Sequence, residues 1–107
     1  MDKVGFMSKE LWYSLGIKEQ MSNIHGEVIR MVRARNNYTS GKSSEDYTQS
    51  YLNKIHDLII MTYEDPKNTQ RTQELVDEEN ELKRWMKNEV DDRYILRYWE
   101  QYTNAIS

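Results

Sequence analysis

A chain of 107 residues with no cysteine, one proline and four glycines can build one small domain around a single core, and it has neither a disulfide framework nor a thiolate metal site. Its net charge of −3 is not the electrostatic footprint of a nucleic-acid binder. Its longest apolar run, LIIM, is far shorter than the ~20 residues of a membrane-spanning helix.

The first residues, MDKVGFMSKELW, lack the apolar segment of a signal peptide, so a soluble protein of the reducing cytoplasm is expected. Charge is unevenly spread. Residues 1–42 hold seven Lys/Arg against four Asp/Glu, and residues 43–107 hold eight against fourteen. Eight tyrosines and three tryptophans stand against one phenylalanine. Such amphipathic rings suit surfaces that are dry on one side and wet on the other.

Ser8 is a plausible N-cap for a short turn, KELWYSL, which Gly16 ends. A long helix then starts near Ile17. Its apolar residues Ile17, Met21, Ile24, Val28 and Met31, with Val32 beside them, form a heptad seam. The helix fades in RARNNYTSGK, where Asn36, Asn37, Ser40 and Gly41 are turn-formers. Gly26 lies opposite the seam, where a missing side chain permits close approach of another group.

Ser43 or Ser44 caps the second helix, with Glu45 and Asp46 in its first turn. Tyr47, Tyr51, Leu52, Ile55, Leu58, Ile59, Met61 and Tyr63 cover about 200° of its wheel, wider than a surface stripe. This reads as the most enclosed helix. Asp65-Pro66 ends it, because the residue before proline avoids the helical region. A third helix runs from Asn68 or Thr69 to about Asn88, with a stripe of Leu75, Val76, Leu82, Trp85, Met86 and Val90. A fourth starts at Asp91 or Asp92 and runs almost to the end, with Tyr94, Ile95, Leu96, Tyr98, Trp99, Tyr102 and Ile106 on one side. No glycine or proline separates these two, so a kink and a turn both fit. The expected fold is all-α, a single domain over residues 1–107. It comprises three long, mostly antiparallel helices, a short N-terminal turn and an aromatic C-terminal helix.

The stretch ELVDEENELKRWMKNEVDD, residues 74–92, holds eight carboxylates. Asp77-Glu78-x-x-Glu81, followed by Glu89-x-x-Asp92, resembles the Mg²⁺ motif of all-helical nucleotide pyrophosphohydrolases of the MazG kind. That resemblance implies a metal bound by Asp77, Glu78, Glu81, Glu89 and Asp92. Two features oppose it. Only seven residues separate Glu81 from Glu89, too few for an antiparallel return. With Leu75 at 0°, Asp77 and Glu81 fall at about 200° and about 240°, on the wet side. No metal and no cofactor are therefore expected. Glu79, at about 40°, lies on the dry stripe and is expected to be buried with a polar partner, since an unpaired buried carboxylate is costly.

His25 and His56 have no His or Cys ligand partner one helical turn away and read as border residues. Arg30, Arg33, Arg35 and Lys42 form the one basic patch, suited to a helix C-terminus. Glu19-Gln20-x-x-Asn23-Ile24-x-Gly26-Glu27-Val28-x-Arg30, with the later Asp65-Pro66-Lys67, resembles a group of short, uncharacterised, all-helical prokaryotic proteins. It implies helical architecture and no particular activity.

These readings converge on a small non-enzymatic interaction module. It is expected to be homodimeric through Tyr94, Tyr98, Trp99 and Tyr102 and to contact an unidentified protein partner. The alternatives are a Mg²⁺-dependent nucleotide hydrolase and a nucleic-acid-binding accessory protein. No nucleic-acid or membrane partner is favoured by the composition.

Overall fold

The computed structural model describes the backbone of residues 3–4 and 7–106 and the side chains of residues 8–101. The chain is an all-α bundle. A two-residue antiparallel pairing, β1 (Lys3–Val4) with β2 (Met7–Ser8), leads into a short helix, α1 (Lys9–Ser14). Three further helices follow: α2 (Ile17–Thr39), α3 (Thr48–Glu64) and, after a 3₁₀ turn over Pro66–Arg71, α4 (Thr72–Met86). The last is α5 (Asp92–Ile106). Among the described residues no helix is long and apolar enough to cross a membrane.

Local chemistry sets each boundary. The Ser8 hydroxyl accepts from the Leu11 amide at 3.2 Å and caps α1. Gly41 ends α2 in the left-handed region, φ 84°, which a residue without Cβ enters freely. The N-cap of α3 is Tyr47, and Asp46 just before it accepts from the Thr48 amide at 3.0 Å. Helix α3 therefore starts later than a Ser43 or Ser44 cap would give. Ser43 instead bonds locally to Glu45. The 3₁₀ turn opens on Pro66, with the Asp65 carboxylate accepting from the Lys67 amide at 3.2 Å.

Between α4 and α5 the chain turns. Asn88 takes φ 60°. The Glu89 amide donates to the Arg84 carbonyl at 2.9 Å and the Asn88 amide to the Trp85 carbonyl at 3.0 Å. These six-to-one and five-to-two bonds are those of a Schellman termination, with asparagine in the usual glycine place. Asp91 then caps α5 by accepting from the Tyr94 amide at 2.8 Å.

Side-chain pairings give the direction of each helix. Trp12 at the α1 end bonds Thr62 late in α3, and Gln20 early in α2 bonds Asp65 just past α3, so α2 and α3 run antiparallel. His56 of α3 meets Glu79 of α4, and Leu52 lines the same crevice as Leu82. Arg35 and Asn36 near the end of α2 bond Asp92 at the start of α5. Helices α2 to α5 thus alternate in direction, as short connections require. The core holds Met21, Ile24, Val28 and Met31 from α2, Ile55, Leu58 and Ile59 from α3, Leu75, Leu82 and Trp85 from α4, and Ile95 and Trp99 from α5.

Helix α3 is not enclosed over the wide arc that its tyrosines suggest. Tyr47 and Tyr63 are 51% and 46% exposed. Tyr47 precedes the first helical residue and Tyr63 lies in the last turn, so both rings edge into water.

Candidate functional site

The five carboxylates of the resemblance to a metal site are dispersed rather than convergent. Asp77 accepts from Gln73 at 2.9 Å. Glu81 accepts both bonds of an Arg84 guanidinium nitrogen, at 3.0 and 3.1 Å, and Glu89 lies 3.7 Å from Arg84 Nε. Glu78 points inward. Asp92 is consumed by a joint between helices: it accepts from Trp85 Nε1 at 2.8 Å, Arg35 Nη2 at 3.1 Å and Asn36 Nδ2 at 3.0 Å. Among the described residues no three His, Cys, Asp or Glu side chains are grouped to hold a metal.

The Asp92 joint also explains Arg35. Its guanidinium lies 3.4 Å above the Trp85 ring and donates to the Trp85 carbonyl at 3.0 Å. Arg35 therefore leaves the basic patch, because it faces α4 and α5 while Arg30 and Arg33 face away. Burial tends to raise the Asp92 pKa, but the bonds from Trp85, Asn36 and Arg35, with the Arg35 charge, hold it below the usual carboxylate value.

A second polar cluster lies at the other end of the bundle and includes Gln20, Asp65 and Lys67. Gln20, fully buried, donates to the Trp12 carbonyl and to Asp65, both at 2.9 Å, and accepts from Asn68 at 3.0 Å. Asn68 also donates to the Thr62 carbonyl at 3.0 Å, and Trp12 Nε1 donates to Thr62 Oγ1 at 3.0 Å. Lys67 pairs with Asp65 and donates to the Tyr13 carbonyl. The amide of Gln20 has spent its donors and its acceptor. The cluster is a satisfied clamp joining α1, α2, α3 and the 3₁₀ turn.

The buried carboxylate is Glu78, not Glu79. Glu78 is fully buried and neither carboxylate oxygen has a hydrogen-bond partner among the described residues. Burial, reinforced by the charges of Glu74 and Asp77 against Arg71, pushes its pKa up to about 9. The Glu79 side chain is 19% exposed and has the expected polar partner on another helix, His56 of α3. The deeper place of Glu78 comes from phase. Val76 is 41% exposed and Val90 lies beyond α4. Without them the stripe is Leu75, Glu78, Leu82 and Trp85, rotated by roughly 45° toward Glu78.

The proposed dimer aromatics also divide. Trp99 is fully buried in the chain's own core and cannot be a surface contact. Tyr98 packs against that core, and Tyr94 is 41% exposed and stacks on Tyr98 at a centroid distance of 6.3 Å. The side chain of Tyr102 lies outside the described residues.

Two surfaces remain. One is a groove of about 330 Å³ between the end of α2 and the start of α3, lined by Arg30, Arg33, Asn37, Ser43, Tyr47 and Tyr51. Lys42 is exposed in the loop beside it but does not line it. Arg30 folds over Gly26 to donate to Glu27 at 2.9 Å, and a Cβ on Gly26 would stand 3.4 Å from Arg30 Nη1. The tyrosines were legible as an i, i+4 pair, but the sequence reading placed them on the buried side and so missed the groove.

The other surface is the outer face of the α3–α4 hairpin. His56 and Glu79 set its register. Ile60 lies one turn beyond His56 and Val76 one turn before Glu79, so the two stand level, with Tyr63 close by. Their exposures are 40%, 41% and 46%. The exposed polar residues around them are the uncharged Gln49, Asn53, Gln73 and Asn80 and the charged Glu64 and Lys83.

No family model, curated protein or solved structure matches this chain.

Proposed function

We propose that the chain is a non-catalytic helical interaction module that associates with a second copy of itself through the outer face of the α3–α4 hairpin. The observation that carries this reading is the chemistry of that face. It sets Ile60, Tyr63 and Val76, all 40–46% exposed, level with one another among four uncharged amides and the charged Glu64 and Lys83. The His56–Glu79 pair lies within the face. Exposed aromatic and aliphatic groups clustered on one face mark a protein contact.

A hairpin face can meet its own copy about a two-fold axis, which makes the contact isologous and self-limiting. The fully buried Trp99 takes no part, so α5 contributes to the fold and α3–α4 to the contact. The separated positions of Asp77, Glu81, Glu89 and Asp92 weigh against the metal-dependent hydrolase. The net charge of −3 weighs against a long nucleic acid. A cytoplasmic setting fits a cysteine-free chain of this kind and is part of the same proposal.

The test is the paired substitution Ile60→Glu with Val76→Glu, followed by size-exclusion chromatography with light scattering. Both side chains already meet water, so the helices should persist by circular dichroism. The unmodified protein should run as a dimer and the variant as a monomer of 13.0 kDa. Equal masses for the two proteins would remove this face from the account.

A further inference from the structure

We propose that the groove between α2 and α3 binds a nucleoside monophosphate through Arg33, Arg30, Asn37 and the rings of Tyr47 and Tyr51. Three observations lead there. The first is the state of the cations. Arg30 is held in place and partly neutralised by Glu27 at 2.9 Å. Arg33 is exposed and makes no hydrogen bond or ion pair among the described residues. Arg33 therefore keeps its planar fork of donors for an incoming anion, and phosphate is the anion that such a fork matches.

The second observation is the aromatic wall. Tyr47 and Tyr51 stand four residues apart where α3 begins, and both line the groove. Tyr47 is half exposed, and its hydroxyl is engaged by Glu45, which leaves the ring face for stacking. The Lys54 ammonium lies 5.3 Å above the Tyr51 ring and adds a cation beside it. Tyrosine faces next to arginine and lysine are the elements on which bases stack. The side-chain amide of Asn37, also in the wall, makes no hydrogen bond among the described residues. It offers a donor and an acceptor for a base edge.

The third observation is size and charge. A groove of about 330 Å³ is at the small end of the range for small-molecule sites. It suits one nucleotide rather than a strand. A polymer would also have to run past Glu27, Glu45 and Asp46 on a chain of net charge −3, without the counterion release that a basic track provides. A single phosphate on a single ring needs only the local Arg33–Arg30 pair. The site is separate from the α3–α4 face, so the two proposals stand or fall independently.

The experiment is calorimetric titration of the full-length chain with AMP, GMP, CMP and UMP, and with adenosine and inorganic phosphate as part-ligands. At least one monophosphate should bind with a sub-millimolar Kd, and both part-ligands at least about tenfold more weakly. Arg33→Ala should weaken the nucleotide about tenfold or more, and Tyr47→Leu should do the same. Arg93→Ala, which removes one positive charge elsewhere, should leave binding unchanged. Both groove residues are exposed, so unaltered thermal melts should accompany the losses. The proposal is overturned if no monophosphate binds saturably below the millimolar range. It is equally overturned if inorganic phosphate alone binds as well, if Arg33→Ala has no effect, or if a short single-stranded RNA binds far more tightly with a steep salt dependence.

Discussion

Glu78 dominates the energetics at the scale of single residues. It is a neutral acid in the fold at physiological pH and a charged one when the chain opens. A folded pKa near 9 against an ordinary value of 4.5 means that the folded state holds the extra proton between those limits. Stability therefore falls as pH rises through that window, at up to about 1.4 kcal/mol per unit. Asp65 and Asp92 act in the opposite sense. Burial raises each, but hydrogen bonds and a neighbouring cation bring both below their usual value. Their contribution is present above about pH 4 and is lost as pH falls further. The combined profile should peak at about pH 4 to 5, below the usual optimum. Thermal melts from acid to alkaline pH check this. Glu78→Gln, which cannot ionise, should flatten the alkaline limb and move the peak toward neutrality. A Glu78→Gln profile that kept the parent slope would assign the pH dependence elsewhere. Glu79 is a milder case. Its pair with His56 is partly open to water, so Glu79→Ala should cost at most about 1 kcal/mol in urea unfolding.

The decisive features at the scale of elements are a termination and a joint. The Schellman bonds at Asn88 turn α4 back toward α5, and the C′ position carries φ 60° without being glycine. Asn88→Gly should therefore stabilise the fold by up to about 1 kcal/mol, and Asn88→Val should destabilise it by about 1 to 2 kcal/mol. Denaturant midpoints would show both changes with opposite signs. Asp92 ties this turn to α2. Asp92→Ala should cost about 1 to 2 kcal/mol, because it strands Trp85 Nε1 and Asn36 while a third of its side chain already faces water. The sequence was informative where periodicity was unbroken. The seam of α2 and the Asp65-Pro66 boundary were legible because apolar spacing and proline sterics act locally. The α4–α5 turn was not, since asparagine in a left-handed place looks like any polar residue on a helix. The groove was hidden because its tyrosines read as buried, and the joint because no local pattern reports the meeting of Arg35 with Trp85 and Asp92. The choice of Glu79 over Glu78 as the deepest carboxylate came from phase, and the surface role given to Trp99 came from counting cover. Counting Val76 and Val90 as core rotated one stripe, and treating α5 as surplus overlooked that α2 and α4 both need Trp99 as cover.

For the whole molecule, the four long helices satisfy one another's apolar stripes, including the tryptophans of α1, α4 and α5. Among the apolar side chains that the fold leaves exposed are Ile60, Tyr63 and Val76 on the outer α3–α4 face. The account holds that this face meets its own copy. Trp99→Glu is then no test of association, since it would place a charge in a packed core and unfold the chain. Sedimentation equilibrium of the unmodified protein, from low to high micromolar concentration, is the most direct measurement. The account predicts a single reversible monomer–dimer transition, with the mass rising from 13.0 kDa to twice that value. A mass that stays at 13.0 kDa across the whole range would contradict it.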